Sequence, residues 1–404
     1  MLNLNTQNIE HFRKATITDG EHIAYKDLEE KVRLLIFRDL FRLNWTYEFQ
    51  DNLIQVKPPE YYDKKVIQKA MSIKRNEIIE SNRNWINSHI KIARNNLANG
   101  YDVLASKIKP IIEVCTTQKQ HDLFRIYRYY WSSPYSEYVG RRIKLIIRDA
   151  GLKNSPVIGI AALGSPIIHI PERDEWIGWN KDIRTERLNY AMDAYLIGAL
   201  PPYNLLLGGK LISYVLASKE IRAIYREKYK NKISLISGKS RSKLVGLFTT
   251  SLYGKSSQYN RIKYKGKDLF KKIGQTKGFG TLHLTNETFS AMQEYLVSKN
   301  ILITNHFGSG PSWTMRVINK TGKVLGFDPK FLLKHSFRRD IYFVPYGSES
   351  VEFLNGNTTT PFYFNYSKNE LVKYWRERWL NMRKKNEEIV NKVLRFEPEH
   401  FKIE

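Results

Sequence analysis

Ala191-Met192-Asp193-Ala194-Tyr195-Leu196-Ile197-Gly198-Ala199-Leu200 is an apolar run with one charge, Asp193, and it is closed by Pro201-Pro202. Its length and closure read as a buried strand. Apolar residues then recur at helical spacing over 205–217. A second short apolar run, 157–163, is closed by Gly164-Ser165-Pro166, and a third spans 243–250. Strands alternating with helices predict an α/β layer, an α+β core in the middle of the chain.

Working outward, the N-terminal side reads differently. Leu28, Val32, Leu35, Ile36, Leu40 and Leu43 predict an amphipathic helix over 25–43. Pro58-Pro59 breaks the pattern. Residues 61–98 then read as one long helix or two, with Ile78, Ile79, Trp85, Ile86 and Ile90 as core positions, stopped by Asn99-Gly100. A further helix from Leu104 is interrupted near Pro110. Residues 1–120 are therefore expected to form an α-helical N-terminal module with no catalytic motif.

On the C-terminal side, 286–299 predicts a helix, and 301–304, 341–344 and 361–364 predict short strands. Ser367 and Glu370 form a capping box. It opens a basic helix over 368–394 whose Leu371, Trp375, Trp379 and Met382 make a core stripe. The expected division is 1–120, then a mixed α/β core over 121–285, then an α/β extension over 286–404. There is no internal repeat.

The chain has 404 residues, 42% hydrophobic and 13% aromatic, enough for a folded core. Its net charge is +26, which points to a polyanionic partner, nucleic acid first. The excess is uneven: net +7 over 1–150, +14 over 151–285 and +5 over 286–404. Residues 228–277 hold 14 Lys and Arg against one acid, Asp268. No apolar run reaches about 18 residues, so no membrane partner is expected. The polar start lacks the apolar segment of a signal peptide. Cys115 is the single cysteine, which excludes intramolecular disulfides and multi-cysteine zinc sites and fits the cytoplasm.

Nucleotide-binding and metal motifs fail on inspection. Ser237-Gly238-Lys239-Ser240 and Gly254-Lys255-Ser256 look like P-loop tails, but Ile233 and Thr249 stand where the first glycine belongs. His121, His169, His283, His306 and His335 share no metal-ligand spacing. What remains are four segments dense in Gly, Pro, aromatics and charge. They are 125–149, 164–179, 192–210 and 253–283. Glycines bring backbone amides close to a ligand; Ser, Asn and Arg donate to phosphate; Tyr and Trp stack on bases. On this basis Lys255, Tyr259, Asn260, Arg261, Lys263, Lys265, Lys267, Lys271, Lys272 and Lys277, with Arg141 and Arg142, are the expected nucleic-acid contacts. Asp174, Asp193 and His283 are the expected catalytic residues, with Glu175 a further acid. Arg173, Asp174, Trp176, Asp193, Tyr259, Asn260, Arg261 and His283 are expected to line one cleft at strand ends. The competing account has both aspartates anchoring turns, Asp174 through an ion pair with Arg173 or Arg184.

The same segments resemble the DruA family of the Druantia anti-phage defence systems. The resemblance runs through Tyr-Trp-Ser-Ser at 130–133, Gly-Arg-Arg-Ile-Lys-Leu-Ile-Ile-Arg-Asp-Ala at 140–150, Ala-Leu-Gly-Ser-Pro at 162–166 and Arg-Asp-x-Trp-Ile-Gly-Trp at 173–179. It continues through Met-Asp-Ala-Tyr-x-x-Gly-Ala-x-Pro-Pro-Tyr-Asn at 192–204, Gly-Gly-Lys at 208–210 and Gly-Lys-Ser-Ser-x-Tyr-Asn-Arg at 254–261. Ile-Gly-x-Thr-x-Gly-Phe-Gly at 273–280 and Arg-Arg-Asp-Ile-Tyr-Phe-Val-Pro at 338–345 complete it. The resemblance implies bacterial antiviral defence beside partner proteins, a large helicase-like component among them. More loosely, the core resembles acetyltransferase-like folds that include phage DNA-modifying enzymes. There a strand runs into a helix whose N-terminus holds a pyrophosphate. Pro201 and Pro202 lack N–H groups, and the Gln/Arg-x-x-Gly-x-Gly/Ala loop is absent, which argues against acyl-coenzyme A.

The resulting expectation is a defence protein that binds nucleic acid, DNA favoured, as a recognition or effector subunit. The alternative is a DNA-acting enzyme, either a base-modifying transferase or a nuclease. A third reading is a structural partner that docks through its N-terminal helices. No cofactor is expected, and a divalent metal only for a nuclease.

Overall fold

The computed structural model describes residues 2–3, 25–50, 53–59, 62–134, 140–233, 238, 242–281, 283–303, 311–326 and 332–403. Two compact units divide the chain. One draws on Met1–Ser81, Ser132–Glu137 and Lys277–Arg338, the other on Asn82–Trp131, Tyr138–Thr276 and Arg339–Glu404.

The second unit is built on a seven-stranded mixed sheet. Its strands are β1 (Pro110–Val114), β2 (Arg142–Asp149), β3 (Val157–Gly164), β4 (Ala191–Ala199), β5 (Gly246–Thr250), β6 (Lys271–Gln275) and β7 (Asp340–Pro345). Across the sheet the order is β6-β7-β5-β4-β3-β2-β1. Neighbours are antiparallel except β4 and β5, which run parallel. β3 and β4 are central and covered on both faces, which is why each reads as a near-continuous apolar run.

The helices of this unit used below are α1 (Arg83–Asn95), α2 (Gln118–Arg128), α3 (Pro171–Ile177), α4 (Gly208–Leu216), α5 (Lys219–Tyr229), α6 (Ser350–Asn355) and α7 (Lys368–Trp375). Strand alternation sends Leu247, Tyr342 and Val344 to one face, where they pack with Leu211 and Val215 of α4, Tyr225 of α5 and Trp375 of α7. Phe248, Ile341 and Phe343 point to the other, with Ile177 of α3 and Phe353 of α6. Gly198 in β4 admits the Trp131 indole, because a Cβ there would lie 2.2 Å from the ring.

The first unit packs the helix Leu28–Phe41 against Asn286–Ser298. Asp39, buried in the former, accepts from Thr285 N–H (2.7 Å), Thr285 Oγ1 (3.0 Å) and Thr288 Oγ1 (2.6 Å). Burial nevertheless pushes its carboxyl above the ordinary range. The helices Lys64–Ser81 and Pro311–Val324 belong to the same unit.

The α/β core, the capping box at Ser367 and the helix at 286–298 agree with the sequence. Elsewhere the chain departs from it. Of the one long helix or two expected at 61–98, two form, Lys64–Ser81 and α1, and they fall in different units, which the sequence did not indicate. Thr46–Gln50 and Leu53–Lys57 pair as antiparallel strands, within a stretch expected to belong to a helical module. The stretch after Leu104 yields the edge strand β1, and Pro110 sits at its first position, where a missing N–H does no harm. No strand forms at 301–303, and Thr304 of that expectation lies outside the described residues. At 361–364 a single bridge, Gly347 to Tyr363, replaces the expected strand. The expected basic helix at 368–394 is broken: a π-turn over Arg376–Leu380 rotates the following face, and Asn386 caps a new helix, Glu387–Leu394. Leu371 and Trp375 are buried as expected, while Met382 is turned out to 64% exposure.

Candidate nucleic-acid interface

Lys263–Tyr264 and Lys267–Asp268 pair as a two-stranded ribbon. Lys265 and Gly266 link them with φ of 48° and 75°. A two-residue hairpin needs two left-handed positions; glycine takes one freely and Lys265 is carried by the closure. The ribbon is anchored from below. Tyr214 donates its hydroxyl to the Lys263 carbonyl at 3.0 Å, and Tyr264 meets Tyr366 and Tyr374 edge-on. Lys263, Lys265 and Lys267 project from it, exposed. Lys271 and Lys272 are exposed on β6, the edge strand, and Lys255 and Arg261 on the loop before the ribbon. Asp268 is the one acid among them, 3.4 Å from Lys263.

That loop is fixed by Lys210 in the first turn of α4. Its buried ammonium donates to the carbonyls of Ser257, Gln258 and Asn260 and lies 4.5 Å over the Trp379 ring. Burial, then the charge of Arg261, pushes it down to about 8. Gln258 donates to the Ile197 carbonyl and Ser213 Oγ, with its amide oxygen against Gly209, so it covers the first turn of α4.

Tyr259 and Asn260 belong to the frame of this loop. The Tyr259 ring is buried, stacked on Phe270 at 5.2 Å and 5°, with Tyr342 at its edge. Burial pushes its hydroxyl up to about 12. The ring is therefore not presented to a base in this structure. Asn260 Oδ1 accepts from the Tyr342 hydroxyl at 2.9 Å. Below it Asp340, buried, accepts from Lys272 Nζ (2.8 Å) and Gln275 Nε2 (3.1 Å).

Arg141 and Arg142 part company. The Arg141 guanidinium is buried and donates to Asn189 O (2.7 Å), Tyr225 Oη (2.6 Å) and Ala191 O (2.9 Å). These internal bonds correct its reading as a phosphate contact. Arg142 is exposed. Lys277 is exposed too, but it opens a segment of the first unit.

The two aspartates act on the segment that joins β3 to α3. Asp193 Oδ2 accepts from Ile167 N–H at 3.0 Å. Arg173, fully buried, donates to the carbonyls of Ile167 (2.7 Å) and Ile168 (3.2 Å) and to Asp174. Asp174 also receives Arg184 and His169, each at 2.8 Å. Asp193 pairs in register with Phe248 and so faces the α3 side of the sheet. Tyr259 and Tyr342 lie on the opposite side. His283 is in the first unit, lining a small pocket with Asp39, Lys74 and Thr285. Burial pushes its imidazole down to about 4. Of the eight residues expected in one cleft, the seven in the second unit divide between the two sides of its sheet, and His283 belongs to the first unit. Trp176 is partly exposed and packs on Phe343. Among the described residues no three His, Cys, Asp or Glu side chains gather as a metal site.

Sequence reasoning missed Lys210, Asp340 and Tyr342 as the frame of the basic loop. All three stand in motifs quoted for the resemblance. The alternation Asp340, Tyr342 against Ile341, Phe343 was the available signal for a strand with one polar side.

The chain matches the family model described as Druantia protein DruA over residues 62–356. It is 35% identical over 302 residues, 74% of each chain, to the Druantia protein DruA of Escherichia coli (strain UMEA 4076-1). No solved structure matches it.

Proposed function

The chain belongs to the DruA family, and from that membership we propose that it acts in anti-phage defence as a nucleic-acid-binding recognition or effector subunit of a multi-protein Druantia-type system. Phage DNA is the favoured target, and a helicase-like protein is among the partners. One observation carries the binding reading. Lys255, Arg261, Lys263, Lys265, Lys267, Lys271 and Lys272 are all exposed along one loop, ribbon and edge strand, with Asp268 the single acid from 255 to 272. Charge kept only for solubility is usually mixed in sign. Lysines crowded on one ribbon repel each other unless an anion sits among them.

The test is fluorescence anisotropy with labelled DNA and RNA, comparing the native chain with a variant carrying Lys263→Glu, Lys265→Glu and Lys267→Glu. Affinity should fall for every sequence alike, because phosphate contacts carry no sequence information. Unchanged affinity for both DNA and RNA would put the binding surface elsewhere.

The second reading is a base-modifying transferase with an acetyltransferase-like core. It is supported by β4 running through a tight turn directly into α4, beside the parallel strand β5. Within that reading the donor is not acyl-coenzyme A, because Gln258 and Lys210 of the chain itself cover the α4 N-terminus. A nuclease draws less support, since the Asp174 carboxylate is already shared by two guanidinium groups.

A further inference from the structure

Pro361-Phe362-Tyr363-Phe364-Asn365-Tyr366 puts four aromatic rings in six residues. The backbone there is fixed. Glu349 N–H donates to the Pro361 carbonyl (3.3 Å), Ser348 N–H to the Phe362 carbonyl (3.1 Å), and Phe364 N–H to the Tyr346 carbonyl (2.7 Å). Gly347 permits the approach, since a Cβ there would lie 1.9 Å from the Pro361 carbonyl oxygen. Phe362 has φ of 43°, a left-handed conformation that bulky side chains rarely adopt. Its ring is nevertheless 57% exposed. Burial does not compensate for this conformation, and backbone strain that holds an aromatic outward is a signal of function.

The strip lies against the basic ribbon. Lys267 Nζ is 5.1 Å over the Phe364 ring, and Phe364 stacks on Tyr366 at 5.1 Å and 14°. Tyr264 of the ribbon meets Tyr366 edge-on at 5.0 Å. Phe364 and Tyr366 therefore share one surface with Lys267, and Phe362 stands two residues along the same strip.

We infer that this strip is a stacking platform for unpaired bases and that the interface prefers single-stranded nucleic acid. The inference rests on the nucleic-acid reading above and deepens it. Cations track the phosphates while flat rings take the bases, a division of labour suited to single strands of any sequence. A duplex hides its base faces inside the stack, so Phe362 offers it nothing.

The experiment uses the full chain with labelled oligo-dT, oligo-rU and a DNA duplex of equal length. Phe362→Leu keeps size and apolarity but loses the flat π face, and Phe362→Tyr keeps that face. The native chain should bind the single strands more tightly than the duplex. Phe362→Leu should weaken single-strand binding by roughly tenfold and leave duplex binding unchanged, with native affinity in Phe362→Tyr and equal melting temperatures throughout. A Phe362→Leu variant that binds both forms as the native chain does, or loses both equally, overturns the inference. If the lysine triple variant loses binding while the Phe362 series does not, the stacking platform alone is wrong. If the native chain binds none of the three, the nucleic-acid reading falls with it.

Discussion

Arg173 and Asp174, neighbours in sequence, close a buried ion pair in which Nε and Nη2 reach the same Oδ1 at 2.9 and 2.6 Å. The guanidinium also holds two backbone carbonyls and lies 5.3 Å from the Trp179 ring. Such a pair is costly to break, because the partner left behind is a buried unpaired charge. Asp174→Asn should therefore lower stability by about 3 kcal/mol in urea denaturation. Native stability combined with lost phage protection would show instead that the carboxylate serves chemistry.

Arg141 should behave as a structural cation. Its three internal bonds, together with the Tyr225 ring 5.8 Å away, saturate the site. Arg141→Met should cost about 1–3 kcal/mol through the donors lost to the Asn189 and Ala191 carbonyls and the Tyr225 hydroxyl. The salt dependence of DNA binding by the folded variant should not change. A shallower salt slope would return Arg141 to the interface.

His283 sets a pH dependence for the first unit. Its imidazole titrates near 4 in the folded chain, depressed by burial, against an ordinary value near 6.5. A depressed base is neutral when folded and charged when unfolded between those values. The unfolded chain then binds more protons, so stability is complete above about 6.5 and falls as the pH drops toward 4, by about 3 kcal/mol in all. His283→Leu should flatten that part of a stability–pH profile measured by denaturant unfolding. An unaltered profile would mean that His283 is solvated.

Lys210 should govern order in the loop it holds. Lys210→Met leaves the carbonyls of Ser257, Gln258 and Asn260 without their donor. Amide hydrogen exchange over 256–261 should quicken, and DNA affinity should fall modestly as Lys255 and Arg261 lose their fixed positions. Native exchange rates would show that Gln258 and Tyr259 hold the loop alone.

The sequence made the centre of the sheet legible and its edges much less so. β3 and β4 are covered on both faces, so their apolar runs stand out without help from neighbours. β1, β2 and β6 carry Lys, Arg and Glu on open sides, and that charge masked them as strands. The break between Lys64–Ser81 and α1 has no proline or glycine to mark it. In the site, the exposed lysines could be read directly, because charge density needs no fold to be seen. The roles of Arg141 and Tyr259 could not, because only tertiary packing decides whether a cation or a ring faces solvent or its own chain. Phe362 was missed for a similar reason: its left-handed backbone depends on the long-range pairing of 361–364 with 346–349.

The salt dependence of DNA affinity tests the central claim most directly. Each phosphate neutralised by a lysine releases counterions, so the logarithm of affinity falls linearly with the logarithm of salt. The native chain should show a steep slope. Replacing Lys263, Lys265 and Lys267 by Glu should make it shallower by about 2 to 3 as those contacts are lost. Equal slopes for the two proteins would contradict a nucleic-acid interface on this ribbon.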